Sequence, residues 1–199
     1  AIANLGGLTY VPVANANGDV TFTFKVYDGE ALSAAAGTFT LSYQAVNDAP
    51  VNTLGTPNAV NEDTANAITG NSIADVDDTS MTSVAITASR GTFSLAQTTG
   101  LTFAANSGDG TDDTTMTFGG TVANINSAIA TITWTSASND DADATITVVT
   151  TDDDGASDTD VMSITVNSVN DAPANAGDTA APSEDTAYSS WTAATDWGY

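Results

Sequence analysis

Most of the residues that could do chemistry in this chain are aspartates. Its 199 residues include 25 acids and only two bases, Lys25 and Arg90, which gives a formal net charge of −23. Of the acids, 22 are Asp and three are Glu. Asp hydrogen-bonds its own backbone, so it favours turns and loops over helix interiors. Short carboxylates gathered in loops suit a hard divalent cation, and Ca²⁺ takes oxygen ligands of this kind.

The clearest candidate ligands lie in two short motifs. In the segment ADVDD, Asp75 and Asp77 are two residues apart, and on an extended segment such side chains point the same way. Asn47 and Asp48 add an amide oxygen and a carboxylate, and Pro50 limits how far their segment can swing. An Asn-Asp pair also suits an ordinary turn, but this pair recurs later in the chain. We therefore predict that these Asn and Asp residues bind Ca²⁺.

Two other acidic segments allow more than one interpretation. The segment SGDGTDD (107–113) contains the Asp-Gly turn of a hairpin, and it could hold an ion or form a solvated β-turn. The aspartates of the segment 140–143 are interpreted as a solvated loop.

The composition excludes several kinds of chemistry. The chain contains no Cys and no His, which removes thiol and imidazole catalysis and most zinc or copper sites. With two bases it is not expected to bind nucleic acid or an anionic membrane surface. No run approaches the roughly 18 apolar residues of a membrane span, so we expect no membrane insertion. Part of the acidity could serve solubility alone.

Paired carboxylates are also the minimum for glycoside hydrolysis. Such a site needs one acid with a raised pKa in a cleft, usually walled by aromatic residues. Trp134 lies in an alternating strand, so we expect it in the core. Lys25 alone forms no nucleophilic constellation. We therefore expect that the chain is not an enzyme and has no catalytic residue.

The chain contains an internal repeat of about 123 residues. The motif VNDAP occurs at 46–50 and again at 169–173, and NEDTA at 61–65 is matched by SEDTA at 183–187. Two further matches follow at nearly the same offset: LTYVP (8–12) with ITWTS (132–136), and DVTFTFKVYDG (19–29) with DATITVVTTDD (143–153). Four landmarks in one order predict tandem domains.

The landmarks divide the chain into three parts. Residues 1–46 are predicted to be the C-terminal part of a first repeat, and residues 47–169 a complete repeat with its leading linker. Residues 170–199 are predicted to be the linker and N-terminal part of a third repeat. The first residues lack the basic region of a signal peptide, so we expect the chain to be a fragment or a processed product.

The secondary structure is predicted to be β almost throughout. Short runs rich in Thr, Val, Ile and aromatics alternate with period two between Gly, Asp and Asn clusters. The exception is VANINSAI (122–129), whose apolar residues have helical spacing. Alternation of this kind predicts a two-sheet sandwich. Its expected inward residues are Ile86, Phe93, Leu101, Phe103, Phe118, Ile132, Trp134, Ile146, Val148 and Ile164.

Together, the VNDAP linkers, the EDT motif after each linker, the DxD loop and the DG turn resemble the bacterial cadherin-like repeats of giant RTX-type extracellular adhesins. The stretch at 100–135 looks like one common variety of these repeats, and the likeness covers nearly the whole chain. The resemblance implies an all-β fold of tandem Greek-key β-sandwiches, cadherin- or Ig-like, with one complete repeat flanked by two partial ones. It also implies Ca²⁺ ions at the junctions between repeats.

Carried over by residue, the resemblance implies two metal sites. The junction before the complete repeat would use Asn47, Asp48, Asp75 and Asp77, together with Asp152 or Asp154 of TDDDG. The following junction would use Glu62 with Asn170 and Asp171. The linker departs from the animal cadherin pattern DxNDNxP, since its first Asp and second Asn are missing.

Two functions follow as expectations. The first is a calcium-stiffened extracellular spacer or adhesion repeat of a large bacterial surface protein, secreted or held at the cell surface. Its partners would be calcium ions and neighbouring repeats, with a host or surface ligand bound elsewhere in the parent protein. The alternative is a self-assembling filament or surface-layer subunit, in which residues 170–199 of one chain complete residues 1–46 of an identical neighbour by strand exchange.

Overall fold

The computed structural model describes residues 9–171. It divides the chain into two compact units, Ala1–Val169 and Asn170–Tyr199. The first unit holds every described strand and the described helix. In chain order these are β1 (Gly18–Phe24), β2 (Gly37–Tyr43), β3 (Val51–Thr53), β4 (Val60–Asn61), β5 (Asn66–Thr69), β6 (Ser72–Ala74), β7 (Ser80–Ala88), β8 (Thr92–Leu95), β9 (Leu101–Phe103), β10 (Thr115–Thr121), α1 (Val122–Ile129), β11 (Thr131–Thr135), β12 (Ala144–Thr151), β13 (Ser157–Ile164) and β14 (Val166–Asn167).

Two antiparallel sheets build the body of the fold. One has the strand order β13-β12-β7-β10-β9, and the other has the order β5-β11-β8. Strands β11 and β12 are consecutive in sequence but lie in different sheets, and β12 lies beside β7. Crossovers of this kind make a Greek-key sandwich. The predicted all-β sandwich with one short helix is confirmed.

Short strand pairs close the ends of the sandwich. Strand β3 pairs with β6 in antiparallel orientation, whereas β4 pairs with β14 in parallel orientation, with Val60 opposite Val166. The parallel pair brings the start of the repeat beside its end. Its backbone bonds run from Val60 N to Thr165 O at 2.9 Å and from Glu62 N to Asn167 O at 3.1 Å.

One apolar core joins the two sheets. Trp134 and Phe93 are 0% exposed on the smaller sheet, and Phe118 and Ile146 are at most 1% exposed on the larger one. Eight of the ten predicted inward residues are buried, while Leu101 and Phe103 are only partly buried. Both of these lie on β9, a three-residue strand at the edge of its sheet.

The helix α1 begins and ends where the helical spacing predicts, at Val122 and Ile129. The Thr121 side chain accepts a hydrogen bond from Asn124 N at 3.3 Å and caps its first turn. Ile125 is fully buried, and Asn126 exchanges hydrogen bonds with the backbone of Ile73 on β6. The helix thereby joins the end of the sandwich to β6. Among the described residues, no helix has the length and apolarity needed to cross a membrane.

Strands β1 and β2 form a separate two-stranded ribbon ahead of the sandwich. Its apolar residues alternate with Thr and Ser, so they gather on one face. On that face the Phe22 ring packs against Tyr10, with ring centroids 5.5 Å apart, and against Phe39 at 6.4 Å. The ribbon lies within the part of the chain predicted to belong to the first repeat.

We predict that replacing Phe118 with Ala lowers the free energy of unfolding of the sandwich by about 3–5 kcal/mol, because it leaves a large cavity in a closed core. Urea denaturation followed by circular dichroism measures the change. The matched control is Val161→Ala on β13, where the side chain is 58% exposed; that change should stay within about 0.5 kcal/mol. Equal effects of the two substitutions would contradict the assigned core.

Candidate metal centre

Asp75 organises the loop that follows β6. Its Oδ1 accepts hydrogen bonds from the backbone N–H groups of Asp77 at 2.8 Å and Asp78 at 2.9 Å. Two such bonds make an Asx turn, so this segment is bent and not extended. In a turn the side chains three residues apart converge, and Asp78 therefore takes the place that alternation predicts for Asp77.

Asp152 occupies the loop between β12 and β13. It is 1% exposed, and its Oδ1 accepts hydrogen bonds from the backbone of Asp154 at 3.0 Å and Ala156 at 2.8 Å. Its Oδ2 accepts a bond of 2.8 Å from the side-chain amide of Asn47. The Asn47 amide, followed by the loop N–H groups, holds the pKa of Asp152 below its ordinary value although burial acts in the opposite direction.

These two loops bring three carboxylates together. One oxygen each from Asp75, Asp78 and Asp152 lies within 4.8 Å of the others. Among the described residues, Oδ2 of Asp75 and Oδ2 of Asp78 are buried and have no hydrogen-bond partner. A buried carboxylate oxygen without a partner is costly, so each of these oxygens favours a hydrogen-bond donor, a proton or a cation beside it.

The electrostatics of Asp78 reflect this crowding. Burial raises its pKa, and the negative charges of Asp75, Asp153 and Asp152 raise it further, while a backbone N–H of Asp153 acts in the opposite direction. The Asp153 carboxylate is itself held by the hydroxyl groups of Ser80 and Thr82, at 3.1 and 2.6 Å. The neighbourhood therefore contains four acids whose mutual repulsion a positive charge would reduce.

The linker is tied to this cluster at two successive residues. Asn47 donates to Asp152 as described, and the backbone N–H of Asp48 donates to Oδ2 of Asp77 at 2.8 Å. Asp77 is thus a tether for the linker and does not join the three converging oxygens. Asp154 is exposed and reaches the cluster through its backbone N–H.

Two open cavities flank the linker on the side of the ribbon. One, of about 310 Å³, lies between Asp48 and Asp77 on one side and Asn15 and Tyr43 on the other. A second, of about 270 Å³, is lined by Asn15, Asp48 and Asp75. The loop ahead of β1 therefore faces the acidic loops of the sandwich across the linker.

The residues predicted for the other junction lie in different units. Glu62 follows β4 and is 4% exposed, and its Oε1 accepts a 2.9 Å bond from the backbone N–H of Val169. Asn170 and Asp171 belong to the second unit and are exposed. Most of that unit, including Trp191, Trp197 and the second EDT motif, lies outside the described residues.

The remaining acidic segments have local partners. Asp113 Oδ2 accepts bonds from the backbone of Asp109 and Gly110, both at 2.9 Å, and Asp109 Oδ1 accepts a 3.0 Å bond from Thr111 N in an Asx turn. In the other segment, Asp140 forms an ion pair with Arg90 at 3.0 Å. Both segments are thus hydrogen-bonded as turn and loop structure, and the alternative of an ion at residues 107–113 stays a prediction.

The three-oxygen cluster fits a calcium ion in its donor set. Ca²⁺ is bound by carboxylates and amide or backbone oxygens. The cluster supplies three carboxylates, two of them with a buried free oxygen, and Asn47 contributes a side-chain amide at its margin. Sequence reasoning missed Asp78; the signal that could have found it is the Asp-x-x-Asp spacing of an Asx turn.

Comparison with known proteins gives no family for the chain. No protein-family model matches it, and no curated protein sequence matches it significantly.

With calcium removed by a chelator at pH 7, we predict that Asp78→Asn makes the sandwich more stable, because it removes a charge that is destabilised first by burial and then by repulsion from three neighbouring acids. The sign follows from linkage: the folded pKa of Asp78 is raised, so the wild type loses stability as pH rises through that pKa. The advantage of the variant should therefore shrink as pH falls. Thermal melts from pH 4 to 7 measure it, and a variant less stable at every pH would contradict the assigned repulsion.

Proposed function

We propose that the chain binds Ca²⁺ at the linker between the ribbon and the sandwich and acts as a calcium-stiffened spacer in an extracellular bacterial surface protein. The observation that carries the proposal is the convergence of Asp75, Asp78 and Asp152 beside Asn47 of the linker. The cluster is bonded to the linker itself, so an ion bound there acts on the linker directly.

The proposed ligands come from three separate segments of the chain. Asp75 and Asp78 belong to the loop after β6, Asp152 to the loop after β12, and Asn47 to the linker. A half-turn of the Asn47 side-chain amide would present its oxygen to the cation. The ion then replaces the Asn47–Asp152 bond with ligation by both residues.

The stiffening follows from electrostatics. Without a cation Asp78 and the three acids around it repel one another, and the linker is held by its bonds to Asp77 and Asp152. A divalent ion cancels the repulsion and adds bonds that cross from the linker to both loops. The sandwich core lies elsewhere, so the gain in order is confined to the joint.

The extracellular setting is supported by the resemblance to cadherin-like adhesin repeats and by the strongly acidic composition. Extracellular calcium modules bind with dissociation constants of about 10⁻⁴–10⁻³ M, which suits calcium outside the cell. The proposed partners are calcium ions and neighbouring repeats, and the proposed role is mechanical, without catalysis.

We expect Asp78→Asn to weaken calcium binding at least tenfold. Loss of an outer-shell partner alone costs about 10–100-fold in metal affinity, and loss of a ligand should cost no less. Isothermal titration calorimetry measures the change. Asp141→Asn removes one exposed charge from a different loop and should leave the affinity within about twofold, since surface charges interact weakly across solvent. If Asp78→Asn binds calcium as tightly as the wild type, the proposed site is wrong.

Calcium should also narrow the range of positions that the ribbon adopts relative to the sandwich. The chain contains no cysteine, so spin labels can be attached specifically to Thr40→Cys on β2 and Thr159→Cys on β13, both exposed positions. Pulsed electron resonance should give a narrower distance distribution with millimolar calcium than with chelator. The same pair in the Asp78→Asn background should show little narrowing. An equally broad distribution with and without calcium would rule out stiffening.

A second candidate function is assembly of the chain into filaments. The observation that favours it is the ribbon, whose apolar face includes Phe24 at 45% and Phe39 at 55% exposure. Large exposed apolar surface favours association. Sedimentation velocity and electron microscopy in millimolar calcium separate the candidates: filaments support assembly, and monomeric rods support the spacer alone.

A further inference from the structure

The ribbon β1–β2 reproduces the hairpin β12–β13 of the complete repeat in strand register. The sequence offset between the two hairpins is 124 residues on the first strand and 123 on the second. The structure pairs the equivalent residues identically. The matching pairs are Val20–Leu41 with Ala144–Ile164, Phe22–Phe39 with Ile146–Met162, and Phe24–Gly37 with Val148–Asp160.

The two hairpins differ in what covers them. In the complete repeat, Ile146 and Val148 are at most 1% exposed, because the opposite sheet packs on them. Their equivalents in the ribbon are Phe22, which is half-buried, and Phe24, which is 45% exposed. Tyr10 corresponds by the same offset to the buried Trp134, and it lies against Phe22. Among residues 9–171, the ribbon thus presents the inward face of a sandwich with no opposite sheet packed on it.

The ribbon also presents an open strand edge. Strand β12 pairs with β13 on one side and with β7 on the other, whereas within the described residues β1 pairs with β2 alone. Ser89 N donates to Thr145 O at 2.9 Å, so the backbone of Thr145 and of alternate residues after it points towards β7. The equivalent residues are Thr21 and Thr23 of β1 and Lys25, which directly follows it. Their backbone groups form the open edge.

The side chains along the open edge of the ribbon indicate what kind of partner could bind there. Between Asp19 and Lys25, residues 20–24 contain no charged side chain, in a chain whose net charge is −23. This stretch of the open edge lies beside exposed aromatic rings. It suits an extended strand with apolar side chains at alternate positions.

We propose that the apolar face and open edge of the ribbon bind a polypeptide with the sequence pattern of residues 47–124, which lays a β7-like strand antiparallel along β1. The pairing of β12 with β7 gives the register: Ala88 lies opposite Ile146, and Ile86 opposite Val148. A bound strand therefore places a small residue opposite Phe22 and a branched one opposite Phe24.

This inference goes beyond both proposed functions because it names the donor. By the repeat offset, residues 170–199 correspond to residues 47–76, which include β3 to β6 and stop short of β7. The strand that pairs with β1 therefore comes from a longer segment than the one predicted for strand exchange. Calcium takes no part in this pairing.

The test is a fusion that places a copy of residues 47–124 directly ahead of Ala1 of the full chain. Hydrogen exchange by NMR then follows the amides of Thr21, Thr23 and Lys25. We expect them to exchange at least about 100-fold more slowly in the fusion than in the chain alone, as amides of a closed sheet do. Amides of β12 serve as the internal standard, since β7 already covers them.

Two variants of the added copy make the test specific. Ile86→Asp in that copy puts a charge on the buried face of the donor strand and should abolish the protection. Thr87→Asp in the same copy changes the exposed face and should preserve it. Neither variant alters the repeat of the original chain.

Three results would overturn the proposal. The first is equal exchange of the Thr21, Thr23 and Lys25 amides in the fusion and in the chain alone. The second is an added copy that stays unfolded beside a protected β12. The third is protection of the same amides in the chain alone that rises with protein concentration, which would identify a second ribbon as the occupant.

Discussion

At 1% exposure the Asp152 carboxylate has lost nearly all of its hydration, and it remains ionised because an amide and backbone N–H groups replace the water. The amide belongs to Asn47 in the linker, 105 residues away in sequence. One buried charge therefore couples a loop of the sandwich to the segment that leads into it. The same carboxylate lies within the cluster formed with Asp75 and Asp78.

The acids around Asp152 differ in what they contribute. The Asp77 carboxylate accepts a hydrogen bond from a backbone N–H, and the Asp153 carboxylate accepts bonds from two hydroxyl groups. Asp75 and Asp78, in contrast, each have one buried oxygen without a hydrogen-bond partner among the described residues. Asp75 combines two roles, since its other oxygen accepts the two backbone bonds that shape its loop. The free oxygens of Asp75 and Asp78 are the part of the cluster on which the proposed cation site depends.

The sequence predicts those features that depend on the periodic spacing of apolar residues along strands and helices. Alternation places Trp134 and Ile146 inside, and helical spacing gives the bounds of α1, because burial on one face imposes these periods directly. The site depends on turns, and there prediction was incomplete. Asp75 was predicted as a ligand from its motif, whereas Asp78 was missed, because alternation does not report a turn that is set by two backbone bonds to Asp75. Asp152 was reached through the family resemblance alone.

The parallel pairing of β4 with β14 has a mechanical consequence. A pull on the two ends of this repeat draws β4 towards its N-terminus and β14 towards its C-terminus, so the strands slide lengthwise. Three hydrogen bonds then resist in shear: Val60 N to Thr165 O, Glu62 N to Asn167 O, and Val169 N to the Glu62 carboxylate. Bonds loaded together in shear must break together, whereas a hairpin pulled open from one end loses its bonds singly. The buried Glu62 side chain thus adds a third hydrogen bond to the two backbone bonds that hold β4 against β14.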